Sequence, residues 1–438
     1  MTNDAVQKPN WTVLVYMVAD TGDSFYQDAM KDITEMMKAG FDDRVRVVVH
    51  ANAPSPWQTR CWKVTGATKL EDGDAGDEIG VATEITSYSN GLLDFVQKSV
   101  DKYESENYLL VLWGHGEGID WKEQVLANSP SGSRIIGSGK RFAPGSQGAI
   151  EVGELGKSLA ELRLEKVPKD RVVVGFDACL MGMVEVFYEI HPYVGCAVAA
   201  DDEIPDTGWP YTNILKFLGS DQFLGSDPDK QPKALAENIV RLCAESYSDP
   251  DQNPESKVSF AACDLSKSPE VLEAMKNLTN ELSACIKERS VRDAVKKARD
   301  FAEDLREKAY VDVYAFCSNL KSTIERTDGK EEFRRLSSAA NEVMLALNGR
   351  FVSKFQFSDS YPYRYSKDAQ AVSICFPESD ELVGSIAGLR VNWGSYKDLT
   401  FCLTTGWPDF LKKFWDSEPI EADPPDPPTL KALGQTAG

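Results

Sequence analysis

The first 225 residues predict an α/β fold in which a mostly parallel central sheet carries helices on both faces. Two observations carry this expectation. Apolar runs of strand length recur at 12–18 (TVLVYMV), 45–51 (VRVVVHA), 108–113 (YLLVLW), 172–176 (VVVGF) and 195–200 (GCAVAA). They are rich in Val and Leu and scarcely alternate with polar residues, as strands covered on both faces require. Between them lie amphipathic stretches of helical period, one marked by Phe25, Ala29, Ile33 and Met36, another by Leu92, Phe95, Val96, Val100 and Tyr103. In sheets of this kind the functional site gathers at the carboxyl ends of the strands.

Beyond residue 225 the pattern turns mainly helical, with long segments at 233–247, 269–289, 291–308 and 331–349 interrupted by strand-like 258–263 and 371–376. A last helix at 409–415 gives way to a Pro- and acid-rich stretch that reads as a disordered tail. The expected division is a catalytic domain at 1–225, a mainly helical domain with added strands at 226–418, and the tail at 419–438. Two long irregular segments, 71–80 (EDGDAGDEIG) and 127–149, interrupt the first half, and loops of that length inside a domain are usually functional or disordered.

Composition narrows the function. The 48 basic residues are outnumbered by 69 acidic ones, a formal charge of −21, which disfavours nucleic acid and anionic membrane as partners and favours basic ones. No apolar run approaches a membrane span, and the opening MTNDAVQKPN shows no basic segment followed by an apolar one, which favours the cytoplasm without fixing the compartment. Nine cysteines without a CxxC pair argue against a disulfide scaffold or a zinc ribbon, so no metal is expected.

Three histidines occur. His50 ends a strand and His191 precedes a proline where a helix stops, whereas His115 sits in WGHGEG directly after the YLLVLW strand. Flanking glycines let the backbone approach a ligand there. Cys179 stands at a second strand exit, in VVVGFDACLMG, where the following helix is expected to begin. A thiol at a helix amino terminus is drawn toward its nucleophilic thiolate form. The other cysteines fall mostly within apolar strands or helix faces and read as core. Asp177, two positions earlier on extended chain, points to the same side as Cys179 and could receive a guanidinium or ammonium, although an aspartate there could equally cap a helix. Asp202, in the acidic cluster after the next strand, could form a second wall of such a pocket or equally belong to an ordinary solvated loop. A P-loop is excluded because Arg134 and Arg141 occupy required Gly and Ser/Thr positions around Gly139 and Lys140, and no GxSxG occurs.

WGHGEG and GFDACLMGMVEVFY resemble the His and Cys motifs of the clostripain family, cysteine peptidases of the caspase–gingipain–legumain clan. WTVLVYMVADTGD, AADDEIPDTGWPYTNIL, AVSICFP and TTGWPDFLKKFW extend the resemblance along nearly the whole chain. It implies a caspase-like sheet, His115 and Cys179 as a catalytic dyad, an oxyanion hole from the N–H groups of Gly116 and Cys179, and Asp177 in the primary specificity pocket. Asp-Ala-Cys stands where caspases carry Gln-Ala-Cys, and an aspartate there favours Arg or Lys over an acidic side chain. The expected activity is an endopeptidase cutting after basic residues. The alternative is an inactive relative that binds basic peptide segments as a scaffold. Family members are often matured by cleavage between the two motifs, which points to Lys140 and Arg141 as self-cleavage positions. Some respond to calcium; EDGDAGDEIG has oxygen donors without EF-hand spacing, so no cofactor is required although calcium could bind, and a monomer is the favoured state.

Overall fold

The computed structural model describes residues 8–66, 68, 81, 87–119, 141–145, 148–161, 167–249, 258–302, 305, 309–325, 330–358, 368–378 and 396–416. The 71–80 segment, Lys140 and the 419–438 tail lie outside the described residues.

The predicted runs become β1 (Trp11–Val18), β2 (Val45–Asn52), β4 (Asn107–Trp113), β7 (Val172–Asp177) and β8 (Cys196–Ala199), with β3 (Arg60–Val64) between the second and third of them. A short antiparallel pair, β5 (Arg141–Gly145) and β6 (Gly148–Glu151), precedes β7. The chain then adds β9 (Ser259–Asp264), β10 (Tyr310–Asp312), β11 (Val352–Phe357) and β12 (Ser373–Cys375). One eight-stranded sheet has the order β11-β9-β8-β7-β4-β1-β2-β3. Its five central strands, β8 to β2, run parallel, and β9, β11 and β3 pair antiparallel at the two ends.

Alternation along β1 sorts its side chains between two cores. Leu14, Tyr16 and Val18 enter one core with helix α2 (Tyr88–Lys102), while Val13, Val15 and Met17 enter the other with helix α1 (Asp23–Lys38). All eight β1 residues are buried, which explains a strand with no polar face. At about 1.5–3 kcal/mol for each fully buried large aliphatic side chain, such strands anchor both layers at once. The stripe on α1 buries Ala29, Ile33 and Met36 as expected, but also Asp32.

The boundary expected near residue 225 does not separate two sheets. β9 and β11 come from the second half and extend the sheet past β8. Helix 231–248 covers the α1 face, and residues 265–414 complete the core on the other face. The physical reason is that β8 would otherwise leave the N–H and C=O groups of its outer edge unpaired; β9 pairs with it from Cys196 to Ala199. Among the described residues no helix is long and apolar enough to cross a membrane.

Candidate active site

The His115 loop leaves β4 beside the end of β7, where Trp113 is in register with Asp177. Gly114 N–H donates to the Asp177 carbonyl at 3.2 Å, tying the two strand exits together. Gly116 then passes so close to the nucleophile loop that a Cβ on it would stand 1.9 Å from the Cys179 carbonyl oxygen and 2.9 Å from its nitrogen. Only glycine permits that approach. The second half pins this loop from outside: the Tyr310 hydroxyl donates to the Glu117 carbonyl at 2.9 Å and accepts from Ile119 N–H at 3.1 Å.

The turn after β7 departs from expectation. Cys179 is not at a helix start; helix α3 spans Val184–Ile190, and Met183 precedes it in extended conformation. Residues 178–183 are instead strapped to the exit of β8. Leu180 N–H donates to the Asp202 carbonyl at 3.1 Å and Gly182 N–H to the Ala200 carbonyl at 2.7 Å. Leu180 adopts φ 61, a left-handed conformation uncommon for a branched side chain, and this reverses the chain directly after the cysteine. Ser373 N–H donates to the Gly182 carbonyl at 2.8 Å, so β12 backs the loop. The thiol therefore receives no helix dipole. Its local donor is Ile204 N–H, 3.3 Å from Sγ. Burial, together with Glu203, Asp177 and Asp202, pushes the Cys179 thiol up to about 11, and the Ile204 hydrogen bond only partly offsets this.

His115, Cys179 and Asp177 meet in one solvent-open cleft of about 330 Å³, lined also by Phe25, Trp113, Gly114, Ala178, Ile204, Pro205, Asp206 and Gly208. The imidazole lies flat on Phe25, with ring centroids 4.1 Å apart and planes 4° from parallel. Its Nε2 is 3.4 Å from the Thr21 hydroxyl. His115 is solvent-exposed as a residue, yet desolvation by the groups around the ring draws its pKa down, and Asp206 opposes that shift. The shifts run in the same sense, since a raised thiol and a lowered imidazole both favour the uncharged forms.

Asp177 is 4% exposed at the inner end of the cleft. Its Oδ2 accepts from Trp209 N–H at 3.1 Å and from the Tyr211 hydroxyl at 2.8 Å, so it caps no helix of its own. Burial is the main cause that pushes its carboxyl up to about 7, against the two hydrogen bonds. Asp202 is not among the residues lining the cleft. It is buried beneath the loop, its Oδ1 accepting from Glu203 N–H at 2.8 Å, because its carbonyl is needed to hold Leu180. The aspartate of this segment that lines the cleft is Asp206. Arg141 opens β5, in register with Glu151.

Sequence reasoning passed over Phe25, Thr21, Tyr310 and Asp32. Phe25 had been assigned to an apolar stripe, and Thr21 and Tyr310 carried no local signal. Asp32 did carry one: it lies seven positions after Phe25 and three after Ala29, a carboxylate on the buried stripe of α1. Among the described residues no group of His, Cys, Asp and Glu is arranged to hold a metal ion.

A thiol and an imidazole at adjacent parallel strand exits, above a buried carboxylate, are the makings of a cysteine peptidase of caspase-like architecture. The model of the clostripain family, peptidase C11, matches residues 15–415, and the chain belongs to that family of cysteine peptidases. Clostripain of Hathewaya histolytica is 23% identical over 429 residues, spanning 87% of this chain and 77% of that protein. In fold the chain is similar to an inactive zymogen C11 protease from Parabacteroides distasonis (TM-score 0.61, 16% identity, 91% of this chain and 99% of that one). It is also similar to a secreted C11 cysteine protease from Bacteroides thetaiotaomicron, solved in complex with an irreversible peptide inhibitor (TM-score 0.56, 18% identity, 91% of this chain and 99% of that one).

Proposed function

We propose that this peptidase hydrolyses peptide bonds after arginine or lysine, with Cys179 as nucleophile and His115 as its proton partner. The observation that carries the reading is the buried Asp177 carboxylate in the same cleft as the thiol. A cationic side chain lying against Asp177 would bring the following carbonyl over Cys179. It would also offset the nearby negative charges that add to burial in holding the thiol protonated, so the right substrate favours its own attack. The sulfur adds to the carbonyl carbon while its proton passes to His115. His115 then protonates the departing amine, and a water hydrolyses the thioester. The close approach of Gly116 to Cys179 supports their two N–H groups as the oxyanion hole, where a donor is typically worth about 3–4 kcal/mol in the transition state.

Cleavage of an Arg-linked or Lys-linked fluorogenic peptide, abolished by Cys179→Ala with the Tm unchanged, is the expected outcome. Activity that survived Cys179→Ala would exclude the mechanism. Lys140 and Arg141 are the proposed self-cleavage positions. Intact mass of active enzyme should divide on incubation while the Cys179→Ala protein stays whole; an undivided active enzyme would remove self-processing there.

A further inference from the structure

Beneath the cleft the structure holds more buried acid than one specificity carboxylate explains. Asp32, on α1, is 4% exposed, as is Asp177 on β7. Gly208 lines the cleft in a left-handed conformation, φ +58, and the point where its Cβ would stand is 3.1 Å from Asp177 Oδ2 and 3.1 Å from Asp32 Oδ2. The two carboxylates thus flank the same stretch of bare backbone. Asp32 is aimed there by the indole of Trp113, whose Nε1 donates to Asp32 Oδ2 at 2.8 Å.

Among the described residues neither carboxylate has an ion-pair partner, and Lys31, on the same helix as Asp32, is paired with Asp28 at 2.7 Å. The donors present are neutral: Trp113 Nε1, Trp209 N–H and the Tyr211 hydroxyl. Buried charges in proteins are ordinarily paired. Burial and Asp177 both push the Asp32 carboxyl well up from its ordinary value, as two acids competing for a missing cation would.

We propose that Asp32 is a specificity-determining residue of this peptidase, supplying with Asp177 the second negative charge against which a substrate's cationic side chain seats. The inference rests on the basic-residue reading above and adds a residue to it. Asp32 acts through space and through the placement of Trp113 and Gly208, which line the cleft where it does not. Substrate entry supplies the missing cation, and both acids are then ionised beside it.

The test is Asp32→Asn, which keeps an acceptor for Trp113 and removes the charge. Hydrolysis of matched peptides with arginine, lysine or citrulline before the scissile bond is measured; citrulline has the shape of arginine without its charge. Loss of a buried partner of a charge should lower kcat/KM for arginine and lysine at least about tenfold, mainly through KM, and leave citrulline within about twofold. An equal fall on all three peptides would mark Asp32 as a merely structural residue and overturn the proposal, as would no fall on any. Were Asp32→Asn not to fold, Trp113→Phe, which removes the donor that aims Asp32, must lower the Arg:citrulline ratio in the same direction; an unchanged ratio overturns the proposal. A wild-type enzyme that cleaved neither basic peptide would overturn the basic-pocket reading and this inference with it. Wild-type activity with an unchanged ratio in the variant would overturn this inference alone.

Discussion

Replacing Asp177 by Asn should make the unliganded protein more stable while removing the proposed preference for basic substrates. Asn is nearly isosteric, and its side-chain carbonyl can still accept from Trp209 N–H and the Tyr211 hydroxyl. What it removes is a carboxyl that titrates at about 7 in the folded protein instead of 3.8. Because the folded-state value is raised, the folded chain binds this proton more tightly than the unfolded chain between those two values, and stability falls as pH rises through that window. Above it the uncompensated charge opposes folding by on the order of 4 kcal/mol. Unfolding 438 residues at about 2.1 cal/mol/K per residue converts this into a Tm gain of about 4 °C for Asp177→Asn. The assay is thermal unfolding of both proteins, without substrate, from pH 4 to pH 8.5. The curves should coincide near pH 4 and separate through pH 7, with the variant higher. Coincidence at every pH, or a variant less stable at pH 8.5, would refute the idea that Asp177 is a buried charge awaiting a cation. The same variant should lose about a hundredfold or more in kcat/KM on an Arg peptide, as expected when one partner of a buried charge pair is removed.

Gly116→Ala places a methyl group 1.9 Å from the Cys179 carbonyl oxygen, so the two strand exits must part; kcat should fall at least about a hundredfold, near the loss of one oxyanion donor, and single-turnover kinetics would reveal it. Phe25→Ala removes the ring on which His115 is stacked. With such a pair worth about 0.5–1.5 kcal/mol, kcat should drop up to about tenfold with KM little changed, and a steady-state series separates the two.

How far the site was legible follows from where each residue gets its neighbours. β1, β4, β7 and β8 read plainly because a strand covered on both faces must be apolar throughout, and glycines and a cysteine at their exits stand out against such runs. β3 and β11 escaped notice as edge strands, where Lys63 and Gln356 interrupt the apolar pattern. Asp-Ala-Cys-Leu-Met-Gly looked like a helix start, yet its N–H groups go to Ala200 and Asp202, partners some twenty residues away that no local pattern reveals. The sharing of one sheet across residue 225 was hidden for a similar reason: pairing of β9 to β8 is a long-range event, and Tyr310 reaches the His115 loop from nearly two hundred residues downstream. Asp177 lines the thiol's cleft, two extended positions before the cysteine, but no local pattern marks it as a member of a pair, since Asp32 enters from another layer of the fold.

The central claim is that one thiol does the chemistry and an acidic floor chooses the substrate. Its most direct measurement is peptide mapping after treatment with a peptidyl-arginine acyloxymethyl ketone, beside the same reagent carrying citrulline. A single adduct on Cys179, formed far faster with the arginine reagent, is the predicted result. An adduct on any other residue, or equal rates with both reagents, would contradict it.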